Sequence, residues 1–335
     1  MTVVTYSSLT RISDLDSKPY EVAAIPKEEW ETGDYVVGEV TGSSRRTFAI
    51  ELTSGRMINP MPGDYIVGAF GNRAATLEGV GSWTEIRGKR MNAMTSAGLF
   101  GAITSLSAMI PRTVDLDYVG HVVRNGKKVC MSDFAISAEE GVFDVPTILI
   151  VGTSMSAGKT TTGRLVVHEL EKMGMKVVGA KLTGAGRYRD VLSFRDAGAS
   201  AIYDFVDAGL PSTVVPENVF RDAIRPLLCK IAGVDPDVVV AEAGASPLEP
   251  YNGMTAIEEL GDNICCTVLC ASDPYAVVGV QQAFGLKPDL VAGPAASTSA
   301  AIDLVDKLTG VVAIDVMDRS CLPTLRNILK QALKS

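Results

Sequence analysis

The second half of the chain alternates between unbroken apolar runs and stretches with helical spacing. Six runs stand out: Ile148 to Val151, Val177 to Ala180, Asp237 to Ala245 (D-V-V-V-A-E-A-G-A), Thr267 to Cys270, Leu290 to Gly293 and Val311 to Ile314. Runs with no polar alternation read as strands buried on both faces, as in a parallel sheet. Between them apolar residues recur every three or four positions, as at Leu165, Val166, Leu170 and Met173, and again over Ala300 to Leu308. That period predicts amphipathic helices. Alternating strands and helices predict an α/β fold, a doubly wound parallel sheet over residues 146–335.

The first half has a different rhythm. Residues 1–30 are mixed and polar and predict no element. From Gly33 short β-branched or aromatic runs sit between turn residues: Tyr35 to Val37, Thr47 to Ile50 and Tyr65 to Val67. G-D-Y-V-V-G (33–38) and G-D-Y-I-V-G (63–68) are near copies. Asn125-Gly126 between apolar runs is a two-residue hairpin signal. Residues 1–145 therefore read as a smaller, mainly antiparallel β domain. One helix is expected within Met91 to Pro111, a stretch without charge. Its hydroxyls and glycines favour burial between domains or subunits over a membrane span.

Composition narrows the function classes. Of 335 residues, 47% are hydrophobic and 21% charged, which suits a globular protein. The net charge of −8, with no clustered Lys and Arg, disfavours nucleic acid as a partner. The six cysteines form no C-x-x-C pair, and three lie in or beside one apolar run (Cys265, Cys266, Cys270), so buried reduced thiols are expected. The N-terminus lacks a charged region followed by an apolar core, so no signal peptide is expected and the cytoplasm is the expected compartment. Two histidines, His121 and His168, offer no zinc spacing, and there is no nucleophile elbow.

The chemistry concentrates at Gly152 to Thr162, read G-T-S-M-S-A-G-K-T-T-T, immediately after the first apolar run and at the start of a helical pattern. Strand, glycine loop, Gly-Lys-Thr and helix form the context of a phosphate-binding loop. Unsatisfied N–H groups and the helix dipole there favour an anion. The candidate cradle is Gly152, Thr153, Ser156, Ala157, Gly158, Lys159, Thr160 and Thr161. Lys159 would reach the terminal phosphates and the Thr160 hydroxyl would ligate Mg²⁺. Ligands of parallel sheets bind beyond the carboxyl ends of strands. Lys181, Glu242 and Asp273 are placed at such ends. Glu242 is the expected second metal ligand, Asp196 a further candidate, Lys181 a candidate for holding an anionic substrate or the transferred group, and Gly244 a candidate nucleotide contact. The charged stretch Arg187-Tyr188-Arg189-Asp190 follows Lys181 closely. Gly293 to Ser297 is a candidate for the nucleotide base.

Five residues, not the usual four, separate Gly152 from Gly158. This longer loop resembles the dethiobiotin-synthetase-like class of P-loop proteins. That class includes the cobyrinate- and cobyrate-type synthetases and a family linked to D-glutamate metabolism. The lysine that marks MinD-like relatives is replaced by Thr153. The resemblance spans about residues 146–318 and implies substrate contact by Lys181 and metal binding by Asp196 and Glu242. Glu242-Ala243-Gly244-Ala245 matches a Glu-Gly-Ala-Gly segment, with Ala243 where the class has glycine. A glycine there would permit φ > 0, which alanine resists. Glu242 to Pro250 and Asp204 to Val206 look more like the D-glutamate-linked family. The N-terminal β domain does not look like a glutamine amidotransferase domain.

These features lead to the expectation of an ATP- and Mg²⁺-dependent enzyme, cytoplasmic and homodimeric, that phosphorylates a small anionic metabolite and could then ligate or cyclise it. Two alternatives stay open at this point: a nucleotide-switched binding protein or metallochaperone, and an acyl transferase on a P-loop-like scaffold.

Overall fold

A computed structural model describes residues 4–42, 49–137 and 141–334, and it divides the chain into two units. The first comprises Met1–Ser137, Ala185–Arg189 and Phe205–Ala223; the second comprises Ala138–Gly184, Asp190–Asp204 and Ile224–Ser335. The boundary at 145/146 stays an expectation. Two segments from the second half also group with the first unit.

The first unit is built on a mainly antiparallel sheet. Tyr65–Phe70, Tyr35–Gly42, Val114–Arg124, Arg90–Ala93 and Leu99–Leu106 follow one another along it, and Leu99–Leu106 pairs back onto Tyr65–Phe70 in parallel. Those five strands therefore form a closed path. The two near-copy segments become adjacent antiparallel strands, with Val37 opposite Val67. Asn125 and Gly126 take φ values of 53° and 73°, the left-handed pair of a tight hairpin. Of the predicted run Thr47 to Ile50, Thr47 and Phe48 lie outside the described residues, and Ile50–Glu51 is a two-residue strand.

Met91 to Pro111 forms no helix. It carries the strands Arg90–Ala93 and Leu99–Leu106. The glycines and hydroxylated residues lower its helix propensity. Phe100 and Ala93 are buried in the same apolar cluster, which pairing between strands makes possible. The expectation of a helical subunit contact therefore loses its element. Among the described residues no helix is long and apolar enough to cross a membrane. His121 is fully buried in the barrel, where its ring meets the Asp34 carboxylate and the Tyr118 hydroxyl.

The second unit contains the parallel sheet. Its strands are β1 (Thr147–Gly152), β2 (Val177–Thr183), β3 (Ala201–Asp204), β4 (Val238–Ala243), β5 (Ile264–Cys270) and β6 (Leu290–Ala292). They lie in the order β3-β2-β4-β1-β5-β6, all parallel. Every residue of β1, β2 and β4 is buried, as the unbroken apolar runs required. The helices are α1 (Lys159–Lys172), α2 (Tyr188–Asp196), α3 (Glu217–Ala232), α4 (Gly253–Leu260), α5 (Pro274–Phe284), α6 (Ser299–Thr309) and α7 (Leu322–Ala332). On α1, Val166, Val167 and Leu170 join Ile148 and Ile150 of β1 in the core. The sixth strand is β3 rather than Val311 to Ile314. The latter makes an isolated bridge at Ala313 to Val291.

Candidate functional site

The carboxyl ends of β1, β2 and β4 bring the chemistry together. β1 ends at Gly152, and the loop from Thr153 to Gly158 leads into α1 at Lys159. Gly158 caps α1 with φ of 94°, a conformation that costs a side chain energy and glycine almost nothing. Ser156 also takes positive φ, 65°, a strain held by the loop around it. The loop is anchored at its start: the Thr153 N–H donates to the Cys270 carbonyl, and the Ser272 N–H donates to the Thr153 hydroxyl. Lys159 is 4% exposed, and its ammonium donates to the Ser154 carbonyl at 2.6 Å, so it curls back inside the loop. Burial holds its pKa below the usual lysine range. An anion in the loop would favour its charged form.

In the first turn of α1 the Thr160 hydroxyl donates to Glu242 Oε2 at 3.0 Å. Glu242 is 2% exposed. Burial raises its pKa, and the neighbouring Asp190 adds to the rise against the pull of Lys181 and Lys159. A hydroxyl and a carboxylate converging beside a phosphate-binding loop are oxygen donors of the kind Mg²⁺ takes.

Lys181 lies opposite Glu242 in the β2–β4 register and opposite Asp204 in the β2–β3 register. Its ammonium forms an ion pair with Asp190 in the first turn of α2. Burial opposes its charge, yet the Asp190 and Glu242 carboxylates outweigh that effect and raise its pKa. Lys181 therefore stays protonated. Asp190 lies within the charged stretch of the sequence, whose pattern alone does not single it out. The signal that could have found it is an acidic residue in a first helical turn, just beyond a strand end. Asp196, the candidate metal ligand, stands exposed in the last turn of α2. It is six residues, roughly 9 Å along the axis, from Asp190.

The remaining candidates fall as follows. Gly244 follows β4 directly, and its N–H donates to the Thr183 carbonyl and hydroxyl. Ala243 is the last residue of β4 and is not among the residues of positive φ, so the glycine found there in similar loops is not required. Asp273 caps α5, accepting from the Tyr275 and Ala276 N–H groups. Gly293–Ala296 is a short 3-10 turn packed on the phosphate loop: a Cβ on Gly293 would stand 2.5 Å from the Ala157 carbonyl. Ala157 is buried and Thr161 exposed. Cys270, behind the loop, is fully buried, which pushes its thiol up to about 12 and leaves it inert at neutral pH. Among the described residues no three His, Cys, Asp or Glu side chains group as metal ligands.

Strand, loop, left-handed glycine, buried lysine and threonine at the tip of a central parallel strand settle the architecture. The second unit is a parallel-sheet α/β fold whose first strand runs through a glycine loop into a helix, the form of a phosphate-binding loop. No family model matches the chain, and no curated protein matches it. Several solved structures are similar. HypB from Helicobacter pylori, in complex with nickel, is 16% identical over 57% of this chain and 88% of its own, with a TM-score of 0.38. Hydrogenase maturation factor HypB from Archaeoglobus fulgidus is 15% identical over 57% and 91%, with a TM-score of 0.37. A DUF1611 family protein from Anabaena variabilis is 17% identical over 59% and 63%, with a TM-score of 0.38. This chain thus spans less than two thirds of the DUF1611 protein's length. Likeness at this level says nothing of substrate or partner.

Proposed function

We propose that the chain binds ATP and Mg²⁺ at this site and transfers the terminal phosphoryl group to a small anionic metabolite, in the manner of dethiobiotin-synthetase-like enzymes. The observation that carries this reading is the second buried lysine. A loop that only grips a nucleotide needs the cradle, Lys159 and a metal site. Lys181 adds a cation that is 5% exposed and is held protonated by Asp190 and Glu242. Lys181 is already paired with Asp190, and an ammonium carries three donors, so the same charge suits an anionic acceptor beside that carboxylate.

In this mechanism the backbone N–H groups at the start of α1 bind phosphate oxygens. Lys159 leaves the Ser154 carbonyl for the terminal phosphate. Thr160 and Glu242 would hold Mg²⁺, which would supply positive charge to offset that of the phosphates. Lys181 holds the acceptor, keeping its carboxylate, carbamate or hydroxyl oxygen in line with the terminal phosphorus. The acceptor oxygen forms a bond to that phosphorus as the bond to the bridging oxygen breaks, ADP leaves with the electron pair, and the proton of a hydroxyl acceptor passes to solvent water. The side chains contribute position and charge, which is most of what phosphoryl transfer requires.

ATP hydrolysis or transfer, measured across a panel of small carboxylic acids and alcohols, tests the reading. Strong stimulation by one acid, lost in Lys181→Ala, supports it. Slow hydrolysis that no small molecule stimulates would favour a nucleotide-switched binding protein instead.

A further inference from the structure

Glu51 is an acidic side chain outside the phosphate site with no exposed surface. It ends the two-residue strand Ile50–Glu51 and accepts three hydrogen bonds. The Ser8 hydroxyl donates to Oε2 at 2.5 Å, the Tyr188 N–H donates to Oε2 at 2.7 Å, and the Arg189 N–H donates to Oε1 at 3.0 Å. Ser8, Glu51, Tyr188 and Arg189 all belong to the first unit. Tyr188 and Arg189 open α2, and their N–H groups are among the four that have no partner within a helix. A carboxylate at that end also meets the positive pole of the helix. Glu51 therefore serves α2 as a cap supplied from 137 residues away.

The next residue of α2 is Asp190, whose carboxylate pairs with Lys181. We infer that Glu51 is a positioning residue: by fixing the first turn of α2 through both of its carboxylate oxygens, it sets where Asp190 stands and so holds Lys181 for the acceptor. The role of Lys181 rests on the function proposed above; the capping of α2 does not.

Glu51→Gln is the direct test. An amide has one acceptor oxygen, so at least one of the two helix N–H groups loses its partner. The expected result has three parts. Amide exchange in residues 186–196, read without nucleotide, rises while the strands of the parallel sheet keep their protection. Transfer to the acceptor slows by about 10- to 100-fold, the scale of a small misplacement of a reacting group, while ATP affinity stays within a factor of about two because the P-loop is unaltered. Adding Glu51→Gln to Asp190→Asn slows transfer no further, as expected when one residue acts through the other. Unchanged exchange over 186–196, or full additivity with Asp190→Asn, would overturn the inference. If Glu51→Gln fails to fold, Ser8→Ala takes its place; it removes one of the three donors and keeps the carboxylate. Raised exchange at 188–190 in that variant supports the inference and unchanged exchange overturns it. A chain that turns over ATP with no acid refutes the proposed function, while the exchange measurement still decides the role of Glu51.

Discussion

The Thr160 hydroxyl donates to the Glu242 carboxylate at 3.0 Å, joining the first turn of α1 to the tip of β4. Two oxygen donors 82 positions apart in the chain are thereby brought side by side, where the proposed function places the metal. Glu242→Gln keeps the shape and one acceptor but removes the charge. Its affinity for ATP measured with Mg²⁺ should fall by about 10- to 100-fold, the range seen when metal-site partners are lost. Affinity measured with EDTA should not change. Equal affinity in the presence of Mg²⁺ would remove Glu242 from the metal site.

Lys181 is the charge that keeps Asp190 and Glu242 compatible inside the protein. Lys181→Met conserves most of the volume and leaves those two carboxylates facing each other. Removing one partner of a buried pair costs about 3–5 kcal/mol. Denaturant unfolding should show a loss of that order, and the double variant Lys181→Met with Asp190→Asn should recover part of it. Equal losses in the single and double variants would mean that the pair is not coupled.

Much of this arrangement is legible in the sequence, and the exceptions have physical causes. Unbroken apolar runs announce β1, β2, β4, β5 and β6, because strands covered on both faces have no polar side. The edge strand β3, Ala201–Asp204, gives no such signal because it is short and its first three residues are only half-buried. Val311 to Ile314 looks like a core strand, yet it makes a single bridge. Met91 to Pro111 reads as helix by its lack of charge, but strand pairing decides such a segment, and pairing is a long-range property. Lys159, Thr160, Lys181 and Glu242 can be placed because strand ends can be located by pattern. Asp190 and Asp196 share one helix, and only its direction shows which carboxylate meets Lys181.

The loop after β4 is held by close packing. A Cβ on Gly244 would stand 2.0 Å from the Thr183 carbonyl and 2.8 Å from Cε of Lys181. Gly244→Ala must therefore push β2 and β4 apart at their tips. The expected cost is about 1–3 kcal/mol, as for overpacked cores, with ATP turnover reduced more than stability alone explains. Wild-type melting temperature and turnover in Gly244→Ala would contradict this packing.

Acidity should act on the site through Glu242, whose folded-state pKa is raised, chiefly by burial. As pH falls through that raised value the carboxylate is protonated and would no longer serve as a metal ligand. Affinity for ATP with Mg²⁺ should then decline at a higher pH than an ordinary glutamate would give, and Glu242→Gln should flatten the profile. Stability without nucleotide should move the other way. Because the folded chain binds this proton more tightly than the unfolded one, the contribution is complete below the unfolded value of 4.5 and is lost as pH rises through the folded value. Thermal melts of the wild type and Glu242→Gln across that window measure the difference.

The whole account depends on the turn between β1 and α1 holding the phosphates of a nucleotide. Calorimetric titration of ATP with Mg²⁺ into the wild type and into Lys159→Ala tests it most directly, with circular dichroism confirming that the variant stays folded. The account predicts saturable binding by the wild type and none measurable by the variant at the same concentrations. Equal binding by both, or no binding by either, would contradict it.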